Sequence, residues 1–404
     1  IIKTLLAQGL NPLPLYATSL KDAFAANFIE EMLVQSQTSV ILNGTGFALS
    51  KPGMGKSKTP FDGADCPVIQ MVFAGTNEEV WQKGMNGLSA RDIAMNVALP
   101  EVDGRLFSRA VSFKGLSVRD ENCQCDIVRY QPHPDRINFC VELAKNWAVL
   151  RNTQEKDRKV ALILANYPNK DARIGNGVGL DTPQGSINVL RAMKDTGYQI
   201  DNIPENGNAL VERLQKGVTN DFESLSARDV EETITLEAYQ AFFKTLSPSV
   251  QAQVIERWGN IEDDPYFLKE VGSFGGFGLA AYRLGHVAVC LQPARGYNID
   301  PVETYHSPDL VPPHNYLAFY AWVRFEFGAH AAIHMGKHGN LEWLPGKSIA
   351  LSKECFPEVA LGAMVNIYPF IINDPGEGTQ AKRRAQAVII DHLTPPLSRA
   401  ESYG

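Results

Sequence analysis

Two histidines and a glutamate recur at every fourth residue in one short segment of the chain, as His334, His338 and Glu342. Imidazole nitrogens and a carboxylate are ligands that suit a borderline divalent metal ion. The same groups accept protons near neutral pH, so they could also act as general bases. Because glycines and a proline interrupt the segment, the alternative is that its polar side chains are simply solvated in a loop. The spacing therefore indicates a candidate metal or proton-transfer site. Whether these side chains form such a site or are only solvated depends on the elements that position them.

The composition is that of an ordinary globular protein. The 404 residues are enough for two or three domains, and 44% of them are hydrophobic and 21% charged. No apolar run approaches the roughly 18 residues of a membrane span, so none is expected. The net charge of -7 argues against a nucleic-acid-binding surface. Six dispersed cysteines predict reduced thiols in a cytoplasm and not a disulfide framework.

Strand and helix signals alternate along the chain, which is typical of an α/β fold. A charged stretch at 151–159 separates two such regions. We therefore expect one α/β domain over residues 1–150 and a second over 151–404, each with Rossmann-like layers built on a parallel sheet. The polar segment at about 205–270 is predicted to be a mostly helical insertion in the second domain.

The second domain is predicted to contain four main strands and a crossover helix. Pro369 suggests that the last strand lies at an edge or carries a bulge, and a helix is expected from about 379 to 392. Because a strand, a helix and a strand in this order form a βαβ unit, the strands at 286–292 and 331–335 should be parallel. The predicted strands are 160–165, 286–292, 331–335 and 367–372, and the crossover helix is 315–327.

In open parallel sheets, the loops that follow the strands meet at the carboxyl edge, where ligands bind. Here those loops carry polar and charged side chains that could converge in one cleft. They are Asn166, Arg295, His338, Glu342, Asp374 and Glu377.

One motif suggests nucleotide binding and is rejected. Gly55, Lys56 and Ser57 look like the end of a phosphate-binding loop, but Ser50 stands where the full pattern requires glycine. Pro60 would also interrupt the helix whose N-terminus should hold the phosphates. We expect no nucleotide site here.

The segment from His334 to Lys347 reads His-x-Gly-x-His-Gly-x-x-Glu-x-x-Pro-Gly-Lys. It resembles the signature of the large chelatase subunits that insert metal ions into tetrapyrroles, which comprise the cobaltochelatase CobN type and the large subunit of magnesium chelatase. Segments 292–298, 305–314 and 373–396 are similar to the CobN type, and the magnesium type has Thr and Ser where Lys337 and Asn340 stand. Because such subunits are far longer and this chain begins at Ile1, we expect a central fragment of a larger protein.

The resemblance implies a subunit of an ATP-dependent cobaltochelatase, a ligase that inserts Co²⁺ into hydrogenobyrinic acid a,c-diamide during cobalamin biosynthesis. It further implies a cytoplasmic multi-subunit complex. An AAA+ ATPase and a companion with an adhesion-type domain would use the ATP and Mg²⁺. Two alternatives stay open: a magnesium chelatase subunit acting on protoporphyrin IX, and a non-catalytic tetrapyrrole-binding carrier.

The resemblance also implies roles for individual residues. His338 and Glu342 would remove the inner N–H protons of the macrocycle, and His334 would either orient them or join them in holding the metal before transfer. Basic side chains would pair with the carboxylates around a corrinoid, and Trp343, Tyr297 and Tyr368 would either stack on the ring or pack in the core. The expected substrate-binding residues are Arg295, Lys337, Lys347, Glu377, Lys382 and Arg383.

Overall fold

The computed structural model describes residues 1–51, 57–166, 171, 174–177, 180–296, 309–336, 339–372 and 375–393. The chain sorts into two compact units. The first contains Ile1–Gln154, Pro345–Val365 and Lys382–Ala387. The second contains Glu155–Leu344, Asn366–Ala381 and the stretch that begins at Val388. Both units combine helices with partly parallel sheets, so the predicted α/β class is confirmed.

The first unit is built on a four-stranded sheet. Its strands are β1 (Ile41–Asn43), β2 (Val68–Ala74), β3 (Leu106–Asp120) and β4 (Cys125–Pro132), in that spatial order. The first three run parallel, and β3 and β4 form an antiparallel hairpin. The helices are Ile2–Ala7, Ala23–Gln35, Glu78–Lys83, Ala90–Ile93, Leu99–Val102, Pro134–Asn152 and Phe356–Leu361, with a π-helical turn at Ala94–Ala98.

A stretch from late in the chain completes the core of the first unit. The buried carboxylate of Glu358 accepts hydrogen bonds from Arg109 at 2.8 Å and from Arg136 at 2.7 Å. The indole N–H of Trp81 donates to the carbonyl of Ala350 at 2.8 Å. Residues 345–365 therefore pack with the first unit, whereas the sequence pattern predicts that all of 151–404 belongs to the second domain. The division into two domains stays a prediction.

The second unit is built on a six-stranded sheet and two smaller sheets. The strands are β5 (Val160–Leu164), β6 (Asn176–Gly177), β7 (Leu180–Asp181), β8 (Glu232–Thr235), β9 (Phe267–Leu268), β10 (Gly276–Leu279), β11 (Ala281–Leu284), β12 (Val287–Leu291), β13 (Ala331–Met335), β14 (Val365–Ile372) and β15 (Val388–Leu393). The six-stranded sheet has the order β11-β12-β5-β13-β14-β15. Strands β12 and β13 both run parallel to β5, β14 runs parallel to β15, and β11 is antiparallel to β12. The smaller sheets join β6 to β7, and β8 and β9 to β10.

Burial explains why this sheet forms. Every residue of β5 and β12 is buried, as expected for parallel strands covered on both faces. Ile187 and Leu190 of the helix that follows β7 pack into the same core as Leu162 and Val289. The helices of the unit are Thr182–Asp195, Gly207–Lys216, Leu236–Phe243, Pro248–Trp258, His314–Ala321 with a π-helical turn at Trp322–Glu326, and Pro375–Arg384, whose last residues belong to the first unit.

The predicted parallel direction of the strands at 286–292 and 331–335 is confirmed, with β5 lying between them. Two other predictions were wrong. Pro369 does not mark an edge, because β14 lies between β13 and β15 and Pro369 is paired with Ile390. The helix expected at 379–392 ends at Arg384, and the β-branched run at 388–390 forms β15 instead.

The segment at 205–270 is mostly helical, as expected, and it also contributes β8 and β9 to the sheet with β10. That this segment is an insertion stays a prediction. Within the part of the chain that the structure describes, no helix has both the length and the apolar character needed to cross a bilayer.

Candidate functional site

His334 lies in β13, one residue before the carboxyl end of the strand, and its side chain is 4% exposed. Its Nδ1 is 2.7 Å from the amide oxygen of Asn366, and its Nε2 is 3.1 Å from the hydroxyl of Tyr320. Because an amide oxygen only accepts, Nδ1 carries the proton and Nε2 accepts from Tyr320. Burial lowers the pKa of His334 to about 4, although the bond to Asn366 opposes this, so the ring is neutral at pH 7.

Glu342 lies in a 3₁₀ turn, Leu341–Trp343, and is 3% exposed. The hydroxyl of Tyr368, which comes from β14, donates to Oε1 of Glu342 at 3.1 Å. The backbone N–H of Gly339 donates to the oxygen of the same hydroxyl. Burial, together with the negative charge of Glu342, raises the pKa of Tyr368 far above its ordinary value, so this phenol stays protonated. Tyr368 thus connects the carboxylate to the start of its own turn.

The same turn is fastened to the loop after β12. The backbone N–H of Asn340 donates to Oε1 of Gln292 at 2.9 Å, and the Asn340 amide donates to the carbonyl of Pro293 at 2.8 Å. The hydroxyl of Tyr316 donates to the Asn340 amide oxygen at 2.8 Å. A side chain at Gly339 would place its Cβ only 2.7 Å from Oε1 of Gln292, so this close approach favours glycine. The two loops therefore form one hydrogen-bonded edge.

Arg295 extends this edge. It follows β12, is buried, and donates from Nη1 to the carbonyl of Trp343 at 2.9 Å. Trp343 is 37% exposed, although its neighbour Glu342 is buried. A guanidinium, an accessible indole and a buried carboxylate thus come from adjoining parts of the same edge, a combination that suits a flat ligand with anionic groups.

Asn166 follows β5, the strand between β12 and β13. Its side chain is 3% exposed. Neither its amide nitrogen nor its amide oxygen has a hydrogen-bond partner among the described residues. Buried polar atoms are nearly always paired in proteins, so this residue is an exception.

The sequence model of the family CobN/Magnesium Chelatase matches residues 1–404. The chain belongs to this family. It is 51% identical over 404 residues to the aerobic cobaltochelatase subunit CobN of Sinorhizobium sp, covering all of this chain and 31% of that protein. It is 50% identical over 400 residues to the aerobic cobaltochelatase subunit CobN of Pseudomonas aeruginosa, covering 99% of this chain and 32% of that protein.

A magnesium-chelatase subunit from Chlorobaculum parvum is 28% identical over 412 residues, covering all of this chain and 30% of that protein. Among solved structures, the catalytic subunit of cobaltochelatase from Mycobacterium tuberculosis matches with a TM-score of 0.84 and 36% identity, over all of this chain and 34% of that one. The chain thus spans about a third of the length of these CobN/Magnesium Chelatase relatives.

The family signature runs through residues with different surroundings. Glu342 belongs to the hydrogen-bonded edge, and His334 is linked to it because the hydroxyl that bonds His334, that of Tyr320, also accepts from Nε2 of Gln292 at 3.0 Å. Lys337 and His338 lie outside the described residues. Ligation of a metal by His334 would require one of its two hydrogen bonds to break. Among the described residues, no three His, Cys, Asp or Glu side chains are grouped to hold a metal ion.

Lys347, the last residue of the signature, belongs to the first unit. Its ammonium donates to the carbonyls of Gln82 at 2.9 Å and Gly84 at 2.7 Å, and lies 5.4 Å from the ring centroid of Trp81. Burial lowers the pKa of Lys347. Binding of a substrate carboxylate, the role expected from the family, would have to use the third donor of this ammonium.

The other predicted binding residues lie on the helix Pro375–Arg384. Lys382 and Arg383 both pair with Glu101 in the first unit, at 3.6 Å and 2.8 Å. Glu377 is half-buried in the second unit. Tyr297, expected to stack on a ring, lies outside the described residues. Tyr368, for which stacking was also expected, is buried and holds Glu342 instead.

No pattern in the sequence indicated Tyr320, Asn366 and Asn340 as partners at this edge. Each lies on a different element, and no spacing along the chain relates them. Two of them could have been found only from the positions of their elements in the fold. Asn366 lies in β14, the strand next to the one that holds His334, and Tyr320 lies on the crossover helix before β13.

Proposed function

We propose that this chain is part of the large, tetrapyrrole-binding subunit of an ATP-dependent cobaltochelatase that inserts Co²⁺ into hydrogenobyrinic acid a,c-diamide in cobalamin biosynthesis. The observation that carries the choice of metal is the difference in identity: 51% to an aerobic cobaltochelatase subunit against 28% to a magnesium-chelatase subunit, each over the whole chain. The buried carboxylate at the carboxyl edge of the parallel sheet supports a catalytic role over that of a passive carrier.

Metal insertion exchanges protons on the ring nitrogens for the metal ion. In the proposal, the Glu342 carboxylate accepts such a proton on an oxygen, and His338 acts as the second base. Tyr368 holds Glu342 in place through its hydroxyl. The low exposure of Glu342 keeps water away from the carboxylate, which strengthens its interaction with a ring N–H.

The family resemblance also suggests His334, His338 and Glu342 as the residues that hold Co²⁺ before transfer. The metal ion would replace the Tyr320 hydroxyl at Nε2 of His334. The neutral ring allows this, since only a deprotonated nitrogen can ligate a metal ion. Metal binding at this site would be weak, because it would have to displace a protein hydrogen bond. Weak binding suits a metal ion that must afterwards be transferred to the substrate.

Carboxylates on the corrinoid would be bound by basic residues, of which Arg295 is best supported because it lies at the same edge as Glu342. Trp343 offers an accessible face for the ring. Lys337, Lys347, Glu377, Lys382 and Arg383 complete the proposed substrate-binding set. ATP and Mg²⁺ would be used by an AAA+ ATPase and a subunit with an adhesion-type domain, in a cytoplasmic complex.

The test is metal insertion by the complete subunit with its two partner subunits, comparing wild type with Glu342→Gln. The variant should lose roughly 100-fold or more of the insertion rate while retaining corrinoid affinity, since glutamine keeps the shape but cannot accept a ring proton. Glu256→Gln, on the exposed face of the helix Pro248–Trp258, is the matched control. Retention of both binding and insertion by Glu342→Gln would remove Glu342 as the base. Tighter binding of protoporphyrin IX than of the corrinoid would favour the magnesium chelatase alternative.

A further inference from the structure

The side chain of Asn166 is buried at the carboxyl end of the central strand β5 with neither amide atom paired among the described residues. Burying an amide without partners costs free energy that folding must offset elsewhere. An apolar residue would avoid this cost. A buried unpaired amide is therefore expected where a ligand supplies the missing partners, as at other sites where function overrides stability.

The position of Asn166 in the sheet supports a ligand-binding role independently. After β5, the chain next contributes β11 and β12 to this sheet, and they lie on one side of β5. After β13, it contributes β14 and β15, which lie on the other side. The connections therefore diverge between β5 and β13. In open α/β sheets, ligands bind in the crevice outside the carboxyl ends of the strands at this switch point.

The two residues that flank the switch point are Asn166, two positions after β5, and Gly336, directly after β13. The backbone holds them close, because the N–H of Ala165 donates to the carbonyl of Met335 at 2.9 Å. A side chain at Gly336 would place its Cβ only 2.6 Å from the Cβ of Ala165. The loop that leads to Glu342 therefore starts beside Asn166.

We propose that Asn166 recognises a primary carboxamide on the edge of the macrocycle. This inference rests on the proposed function and deepens it, because the proposed corrinoid carries two such groups. An asparagine side chain offers both an N–H₂ donor and a carbonyl acceptor. A carboxamide satisfies both in a pair of hydrogen bonds, whereas a carboxylate can only accept and leaves the asparagine oxygen unpaired.

Asn166 and Arg295, which follows the neighbouring strand β12, would thus bind different groups on the edge of the ring. The guanidinium suits the carboxylates that remain on the ring, and the amide selects a ring on which the carboxamide at this position has already been formed. The reaction that supplies the substrate must accordingly be an amidation of ring carboxylates. Metal insertion before that step would be disfavoured at this position.

The experiment measures affinity of the complete subunit for two corrinoids that differ in one respect: hydrogenobyrinic acid a,c-diamide, and the same macrocycle with both amides replaced by carboxylates. Wild type should bind the diamide roughly tenfold or more tightly. Asn166→Leu, which keeps the branching at Cγ but has no polar atoms, should abolish this preference. Asn188→Leu, at an exposed position on the helix Thr182–Asp195, should retain it.

Thermal unfolding of the same variants separates recognition from a structural role. Asn166→Leu should unfold at the same temperature as wild type or higher in the absence of ligand, because it removes an unpaired buried amide. A lower unfolding temperature with an unchanged preference would overturn the proposal.

The pair of corrinoids also tests the proposal without any variant. Equal affinity of wild type for both corrinoids would reject the role of Asn166 and leave the proposed function intact. Binding of protoporphyrin IX but of neither corrinoid would reject the proposed function itself.

Discussion

The hydroxyl of Tyr368 lies 3.1 Å from Oε1 of Glu342 and donates a hydrogen bond to it. The two residues lie on different elements, since Tyr368 belongs to β14 and Glu342 belongs to the 3₁₀ turn after β13. The backbone N–H of Gly339 donates to the same hydroxyl. The position of the proposed base is therefore set by a neighbouring strand of the sheet in addition to its own turn.

Replacing Tyr368 by phenylalanine should impair metal insertion more than substrate binding. A hydrogen bond to a charged group contributes about 1.5–3 kcal/mol, which corresponds to a loss of roughly ten- to a hundredfold in rate. Because the lost donor had favoured the ionised carboxylate, the acid limb of the pH–rate profile should move to higher pH. The measurement is the insertion rate of the complete enzyme across a pH range that spans this limb.

Tyr130→Phe provides a control of the same chemistry, since Tyr130 is exposed on β4. It should leave both the rate and the pH profile unchanged. A Tyr368→Phe enzyme whose rate falls without any shift of the acid limb would argue that Tyr368 only supports the fold.

His334 should make the free energy of unfolding depend on pH in the acid range. Burial lowers its pKa in the folded state to about 4, whereas the unfolded chain has an ordinary value near 6.5. The stabilisation is therefore complete above about pH 6.5 and is lost as the pH falls towards 4, by roughly 3 kcal/mol in total. Urea unfolding of wild type and His334→Gln across this range measures the difference, which should shrink as the solution becomes more acidic. Parallel curves for the two proteins would contradict the buried, neutral imidazole.

Glu358→Gln should destabilise the first unit strongly. The side chains of Arg109 and Arg136 are almost completely buried against this carboxylate, and removing one partner of a buried ion pair costs about 3–5 kcal/mol. Arg136 keeps Asp135 as a second partner, so the lower end of that range is expected. Glu354→Gln, at an exposed position nearby, is the control and should change the free energy of unfolding by less than about 0.5 kcal/mol.

The pH dependence of this effect has a defined sign. Burial by itself would raise the pKa of Glu358, but Arg109 and Arg136 outweigh burial and hold the pKa below its ordinary value. The advantage of wild type over Glu358→Gln is therefore complete above about pH 4.3, the ordinary value for glutamate, and declines as the pH falls below it. An advantage that grew on acidification would show that the carboxylate is not the stabilising form.

Much of the fold followed from local patterns. The continuous apolar runs of β5 and β12 predicted buried parallel strands, because few other elements bury five successive residues. The errors arose where distant partners decide the outcome. Pro369 would normally be excluded from an interior strand, yet β14 has neighbours on both sides. The packing of residues 345–365 with the first unit is a separate case that no local pattern indicates, because it depends on Trp81, Arg109 and Arg136, more than 200 positions away.

The sequence indicates which chemistry the candidate site could perform more readily than how the site is assembled, and the roles of its residues stay predictions. The spacing of His334 and Glu342 identified two residues that share one hydrogen-bonded edge, although through different partners. Lys347 shares the same motif but directs its ammonium to carbonyls in the first unit. In the sequence, Asn166 is one of several polar loop residues, because its lack of hydrogen-bond partners among the described residues can be recognised only in the structure.

The carboxylate of Glu358 also affects when the first unit can fold during synthesis of the chain. Arg109 and Arg136 leave the ribosome long before Glu358 does, and neither can be buried at low cost without its counter-charge. Domains commonly fold from the N-terminus as synthesis proceeds. Because both arginines need the Glu358 carboxylate, we expect the core of the first unit to close only after residue 358 has been added. A growing chain therefore exposes an incomplete first unit until that residue emerges.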